Sequence, residues 1–158
     1  MTLIKPAFIV AAGAQRGRTL NVMGQQVVER ITCEDSNGDY YVMDETTPPG
    51  MGVPPHMHEF DDEIVFINEG EFEIFLDGMV TKAGPGAVLN FARGTFHGFR
   101  CVGETPGKTT WVASPGKWAQ AILRAISDMP PGPPDHAKLA ALNAENGITM
   151  PPPSNNWW

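Results

Sequence analysis

The chain has 158 residues, of which 42% are hydrophobic, with a formal net charge of -7 and a pI near 4.9. That is one domain's length with enough apolar content for a packed core, which argues against a disordered chain. An acidic surface repels phosphate backbones, so no nucleic-acid partner is expected, and no apolar run approaches the ~20 residues of a membrane helix.

From the N-terminus, the segment from Lys5 to Thr19 has one lysine and a short apolar run ending in Ala12-Gly13-Ala14. The run is at the short end for a signal peptide and arginines follow it, so no export is expected. Thr19–Glu34 reads as two strands about a turn at Met23-Gly24-Gln25. Asn37-Gly38 between two strand-like runs predicts a tight hairpin. In EFEIFLDGMVTKAG, Phe72, Ile74 and Leu76 share one face of a strand, and Asp77-Gly78 makes the turn. Two short strands flank Ala92-Arg93-Gly94, and KTTWVAS adds another. Many short strands separated by Gly and Pro predict an all-β sandwich or barrel.

The last third has a different period. Trp118, Ile122, Ala125 and Ile126 fall at helical spacing, and the Pro-rich MPPGPPD ends that helix. Asp135 suits an N-cap for HAKLAALNAEN, and Gly147 the position after its end. The domain reading is therefore residues 1–114 as a β domain and 115–158 as a helical, Pro-rich extension packed on it. Trp157 and Trp158 are expected to anchor the tail or a subunit contact. The two cysteines, Cys33 and Cys101, form no disulfide framework, so free thiols and a cytoplasmic location are expected.

Two of the four histidines, His56 and His58, stand one residue apart. On a strand such residues share a face about 6.5 Å apart, so both imidazoles can converge on one transition-metal ion. Pro54-Pro55 stiffens the entry. Glu63 precedes the apolar run Ile64-Val65-Phe66-Ile67, at the edge of buried structure, where a lone carboxylate needs a compensating charge. A third histidine, His97, lies between Phe96 and Gly98 in another apolar strand. Glu59 is too close in sequence to reach round. Asp61 and Asp62 read as turn and rim charges, and Glu71 and Glu73 as a polar face. His136 is expected to be exposed.

These spacings resemble the cupin superfamily. Gly50, five residues, His56-Met57-His58, four residues, Glu63, six residues and Gly70 match its first motif at every position. Gly86, Ala92-Arg93-Gly94, His97 and Cys101 follow the second, with Ala92 where the motif has Pro and Cys101 where it has Asn. The resemblance implies a jelly-roll β-barrel with one divalent metal (Fe, Mn, Ni, Co, Cu or Zn) on His56, His58, Glu63 and His97. It also implies a homodimer paired through N-terminal strands. The blocks PPHMHEFDDEIVFINEGEFEIFLDG and AGPGAVLNFARGTFHGFR are similar to single-domain, quercetin 2,3-dioxygenase-like cupins.

Four protein ligands on an ion that prefers six leave about two positions open. That suits a small-molecule substrate with chelating oxygens, or one substrate oxygen beside O2. A redox metal would then support a dioxygenase on an aromatic or flavonol-like hydroxy-ketone. A non-redox ion would support an isomerase, cyclase or lyase, and a binding cupin without catalysis is the third reading. Glu63 is the candidate catalytic base, provided its pKa rises toward neutrality. Phe66, Phe91, Arg93, Phe99 and Cys101 are the candidate pocket residues. Phe96 is a further lining candidate, and Met43, Met51, Met57 and Met79 a candidate apolar wall.

Overall fold

The structure is a computed structural model that describes residues 6–151. It contains two facing antiparallel sheets. The first holds β1 (Thr19–Val22), β2 (Gln25–Ile31), β3 (Tyr41–Thr47), β10 (Gly107–Ser114), β5 (Asp62–Glu69) and β8 (Val88–Phe91), in the order β1-β2-β3-β10-β5-β8. The second holds β4 (Gly52–His58), β6 (Phe72–Leu76), β7 (Met79–Ala83), β9 (His97–Cys101) and β11 (Ile148–Thr149), in the order β11-β4-β9-β6-β7. The sheets stay separate, so the predicted jelly-roll barrel is a two-sheet sandwich rather than a closed ring.

A period of two selects the interior. On β3 the inner residues are Tyr41, Met43, Glu45 and Thr47; on β5 they are Glu63, Val65 and Ile67; on β10 Gly107, Thr109, Trp111 and Ala113. The centre is aromatic: Trp111 packs at 5.2 Å from Phe99 and 6.1 Å from Phe91, and Phe99 meets Phe72 edge-on at 6.2 Å. Burying each of these side chains stabilises the fold by roughly 1.5–3 kcal/mol.

The turn at Met23-Gly24 forms as expected, with φ of 53° and 94°. The hairpin at Asn37-Gly38 does not. β2 and β3 are antiparallel neighbours, but a one-turn helix, α1 (Cys33–Ser36), joins them. Thr32 and Asp35 form a capping box at its start, and Asn37 is its left-handed C-cap with φ 55°. The Asn-Gly pair supplies positive φ to a helix end instead of a two-residue turn.

α2 (Lys117–Ser127) buries Ala119, Gln120 and Ile122. Its Arg124 reaches the fully buried Glu29 of β2 with two bonds, at 2.7 and 3.0 Å. The Glu29 carboxylate also accepts from the Tyr41 hydroxyl and the Arg18 backbone N–H. α3 (His136–Glu145) starts at Asp135, whose side chain accepts from the Lys138 N–H, as expected. After Gly147 the chain enters β11, which pairs Ile148 with His58 and Thr149 with Met57. The Glu59 N–H donates to the Gly147 carbonyl at 2.8 Å. A side chain at Gly147 would collide with the Phe60 ring, which also packs on Trp118 at 4.7 Å between ring centres. The C-terminal segment thus completes the sheet beside the strand that carries His56 and His58. Trp157 and Trp158 lie outside the described residues.

Candidate metal centre

Pro54 and Pro55 carry no N–H and cannot continue the ladder between β4 and β9. The register shifts there: Val53 faces Phe99, and three residues on, His56 faces His97, only two residues back along β9. The extra residue is a bulge that brings His56 opposite His97. Gly98 makes room for it, since a Cβ there would lie 2.9 Å from the Val53 carbonyl and the Pro55 nitrogen. His58 follows on the same face of β4. After a tight turn β5 presents Glu63 inward, paired across the sheet with Ala113 and Phe91.

The four side chains meet. One potential ligand atom from each of His56, His58, Glu63 and His97 lies within 4.8 Å of the others, and all four residues are buried. Glu63 Oε2 is 3.3 Å from His97 Nε2 and 3.6 Å from His58 Nε2, and the Nε2 atoms of His56 and His58 are 3.1 Å apart. Each Nδ1 is held from behind: His56 by the Pro54 carbonyl at 2.8 Å, His97 by the Thr95 carbonyl at 3.0 Å, His58 by the Asp61 carboxylate at 3.0 Å. Such acceptors place a ring proton on each Nδ1 and aim each Nε2 at the common centre, where His58 carries a second proton that a bound cation would displace. The Phe91 ring stacks on His97 at 4.3 Å and 7° and fixes its plane.

The electrostatics suit residues that would hold a cation. Burial pushes the His56 imidazole down to about 3, with the neighbouring His97 and His58 adding to the effect. Burial also opposes charge on His58, but Glu63 and Asp61 outweigh it and raise the group to about 9. Burial would raise Glu63, yet His58, His97 and His56 bring it down to about 2. His97 Nε2 is buried without a hydrogen bond, off line from the carboxylate beside it. Three imidazole nitrogens around one buried carboxylate are the donor set of a transition metal, and the residues fit such an ion.

The other predicted site residues divide. Phe91 is in the cluster. Phe99 and Cys101 share the inner face of β9 with His97, but the Cys101 thiol turns to the Thr105 carbonyl. Phe66 belongs elsewhere: it is 42% exposed, because its even position on β5 puts it on the face opposite Glu63. Arg93 is exposed and held by Asp62 at 2.8 Å, at the rim. Met43 is buried, whereas Met79 is exposed, Met57 lies between the two histidines on the outward face, and Met51 packs on Gly24. Phe96 is half-buried, and His136 is exposed as expected. Asp62 is a rim charge, but Asp61 is fully buried behind His58, with its Oδ1 unpartnered. In a run of acids nothing distinguishes Asp61 by type. Its place three residues after His58, across the turn, is what sends it inward.

Comparison with known proteins follows the same lines. Residues 43–113 match the family model described as a cupin domain. A quercetin 2,3-dioxygenase from Bacillus subtilis (strain 168) is 28% identical over 75 residues, 46% of this chain and 22% of that protein. The chain therefore matches only about a fifth of that relative's length. Among solved structures, KdgF from Halomonas sp. is 26% identical at a TM-score of 0.53, covering 59% of this chain and 80% of that one. A predicted oxalate decarboxylase from Thermotoga maritima is 22% identical at a TM-score of 0.59, covering 68% and 98% respectively, a likeness of fold.

Proposed function

With residues 43–113 a cupin domain, we propose that this chain is a metal-dependent dioxygenase acting on an aromatic, flavonol-like hydroxy-ketone. One observation carries the reading: three buried Nε2 atoms and the Glu63 carboxylate converge while every Nδ1 is held from outside. His56, His58, His97 and Glu63 would hold one divalent transition metal. When bound, such an ion supplies Lewis acidity and, if redox-active, one-electron chemistry toward O2.

The protein's own part is orientation and exclusion of water. The Pro54 and Thr95 carbonyls and Asp61 fix the three rings. Phe91, Phe99 and Trp111 make an apolar wall at which an aromatic ring gains about 25 cal/mol per Å2 of area buried. Glu63, held near 2 by the imidazoles, is foremost a ligand. It would become a base toward a substrate hydroxyl on swinging off the ion, where burial raises it toward neutrality. The sequence likeness to quercetin 2,3-dioxygenase supports the substrate class. Two free thiols fit a reducing cytoplasm, and β1, an edge strand of the six-stranded sheet, offers a second copy a pairing edge in a homodimer. Among the described residues no helix is long and apolar enough to cross a membrane.

The test is a titration of quercetin into protein loaded in turn with Fe, Mn, Ni, Co, Cu and Zn, with absorption and dissolved oxygen followed together. A metal-dependent band shift with oxygen consumed under at least one redox metal is expected. A shift without oxygen uptake under any of them moves the reading to a non-redox isomerase, cyclase or lyase. No shift with any metal contradicts an open chelating site.

A further inference from the structure

The outward face of the six-stranded sheet is apolar at its centre. In register, Val112 of β10 stands between Val42 of β3 and Ile64 of β5, and one step along the strands Phe66 of β5 stands beside Val88 of β8. Such cross-strand neighbours are about 5 Å apart, so the five side chains form one surface. Val42 and Val112 are half-buried by their neighbours, whereas Ile64, Phe66 and Val88 are 40%, 42% and 59% exposed. The metal centre uses none of them, because Glu63 takes the opposite side of β5. The apolar surface continues past the β2 border. There the Ala11 carbonyl of the N-terminal arm accepts from the Arg30 guanidinium, and Ile9, two residues before it, is 94% exposed.

The charges around this surface cancel. Arg30 pairs with Asp44 at 2.6 Å, Arg93 with Asp62 at 2.8 Å and Lys108 with Glu69 at 3.0 Å, three cations against three carboxylates. The whole chain carries -7. Two acidic copies repel wherever unbalanced carboxylates meet, and a two-fold contact sets a face against its own copy. A neutral apolar face is the kind such a contact tolerates. The size agrees. Strands about 4.8 Å apart with residues rising about 3.3 Å give this face roughly 400 Å2 in plan. Side-chain relief and the Ile9 arm bring two copies to about 1,000 Å2 removed from water, the lower end for a specific interface. We propose that a second copy of this chain docks here, face to face, with Ile64 and Phe66 near the centre of the contact. The inference deepens the homodimer reading given above and rests on it. Edge-to-edge pairing at β1, at the far end of the same sheet, would leave this face in water, so the two arrangements can be told apart.

The experiment is sedimentation equilibrium of the full chain from about 1 to about 200 μM, for wild type, Phe66→Glu, Val88→Glu and the control Met79→Glu. Met79 is 72% exposed on β7, an edge of the other sheet. Wild type should dimerise with a Kd of roughly micromolar order, as suits so small an interface. Phe66→Glu brings two like charges into the contact and should weaken it about 100-fold or more, and Val88→Glu about tenfold or more. Met79→Glu should stay within about twofold of wild type. Far-ultraviolet dichroism should not change, because all three side chains point away from the core. Val88→Glu decides the matter if Phe66→Glu does not fold. Unchanged dimerisation in whichever face variants fold overturns the proposal and leaves pairing at the β1 edge. Equal weakening by Met79→Glu overturns it too, since added charge and not this face would then be responsible. A wild type that stays monomeric at about 200 μM overturns it together with the homodimer.

Discussion

Metal-reconstituted wild type should contain about one equivalent of divalent metal, and the His56→Ala/His58→Ala double variant essentially none. The two imidazoles come from one strand, and removing both leaves Glu63 with His97 alone. A mono-imidazole, mono-carboxylate site competes poorly with water. Asp61→Leu should give a smaller loss, about 10- to 100-fold in affinity, because the ligand remains but its Nδ1 partner does not. The order wild type, Asp61→Leu, double variant is expected by competition with a chromophoric chelator, with far-ultraviolet dichroism confirming folding. Full occupancy in the double variant would place the metal elsewhere.

Arg124→Ala should destabilise the fold by roughly 3–5 kcal/mol, the cost of leaving a buried charge unpaired. Glu29 is fully buried and its ion-pair partner is the Arg124 guanidinium, half-exposed on α2. The loss strands a carboxylate under the helix. Tyr41 and the Arg18 N–H still donate, but neither offsets the charge. For a chain of this size, Tm should fall by about 6–20 °C. Glu29→Gln/Arg124→Met, which removes both charges, should recover much of the loss. A lone Arg124→Ala within 1 °C of wild type would mean that water already screens Glu29.

Much of this was legible in the sequence for physical reasons. A strand period of two placed His56 and His58 on one face, and the alternation in EFEIFLDG set Phe72 and Ile74 inside. Helix ends were readable where one residue dominates, as with Asp135. Asn37-Gly38 was misleading because both a tight turn and a helix C-cap use positive φ, and only the capping box of Thr32 and Asp35 separates them. Phe66 looked like a pocket residue by type, but its parity on β5 opposes that of Glu63. The Pro54-Pro55 bulge, which sets His56 against His97, depends on pairing with a strand some 40 residues away. Asp61 and Glu45 stayed hidden for the same reason: their burial is decided by long-range packing, not by local pattern.

The most direct measurement is a crystal of metal-soaked protein with diffraction collected on both sides of the metal's absorption edge. The account predicts one anomalous peak per chain, bounded by Nε2 of His56, His58 and His97 and by the Glu63 carboxylate. A full-occupancy peak anywhere else, or none at these four residues under saturating metal, would contradict it.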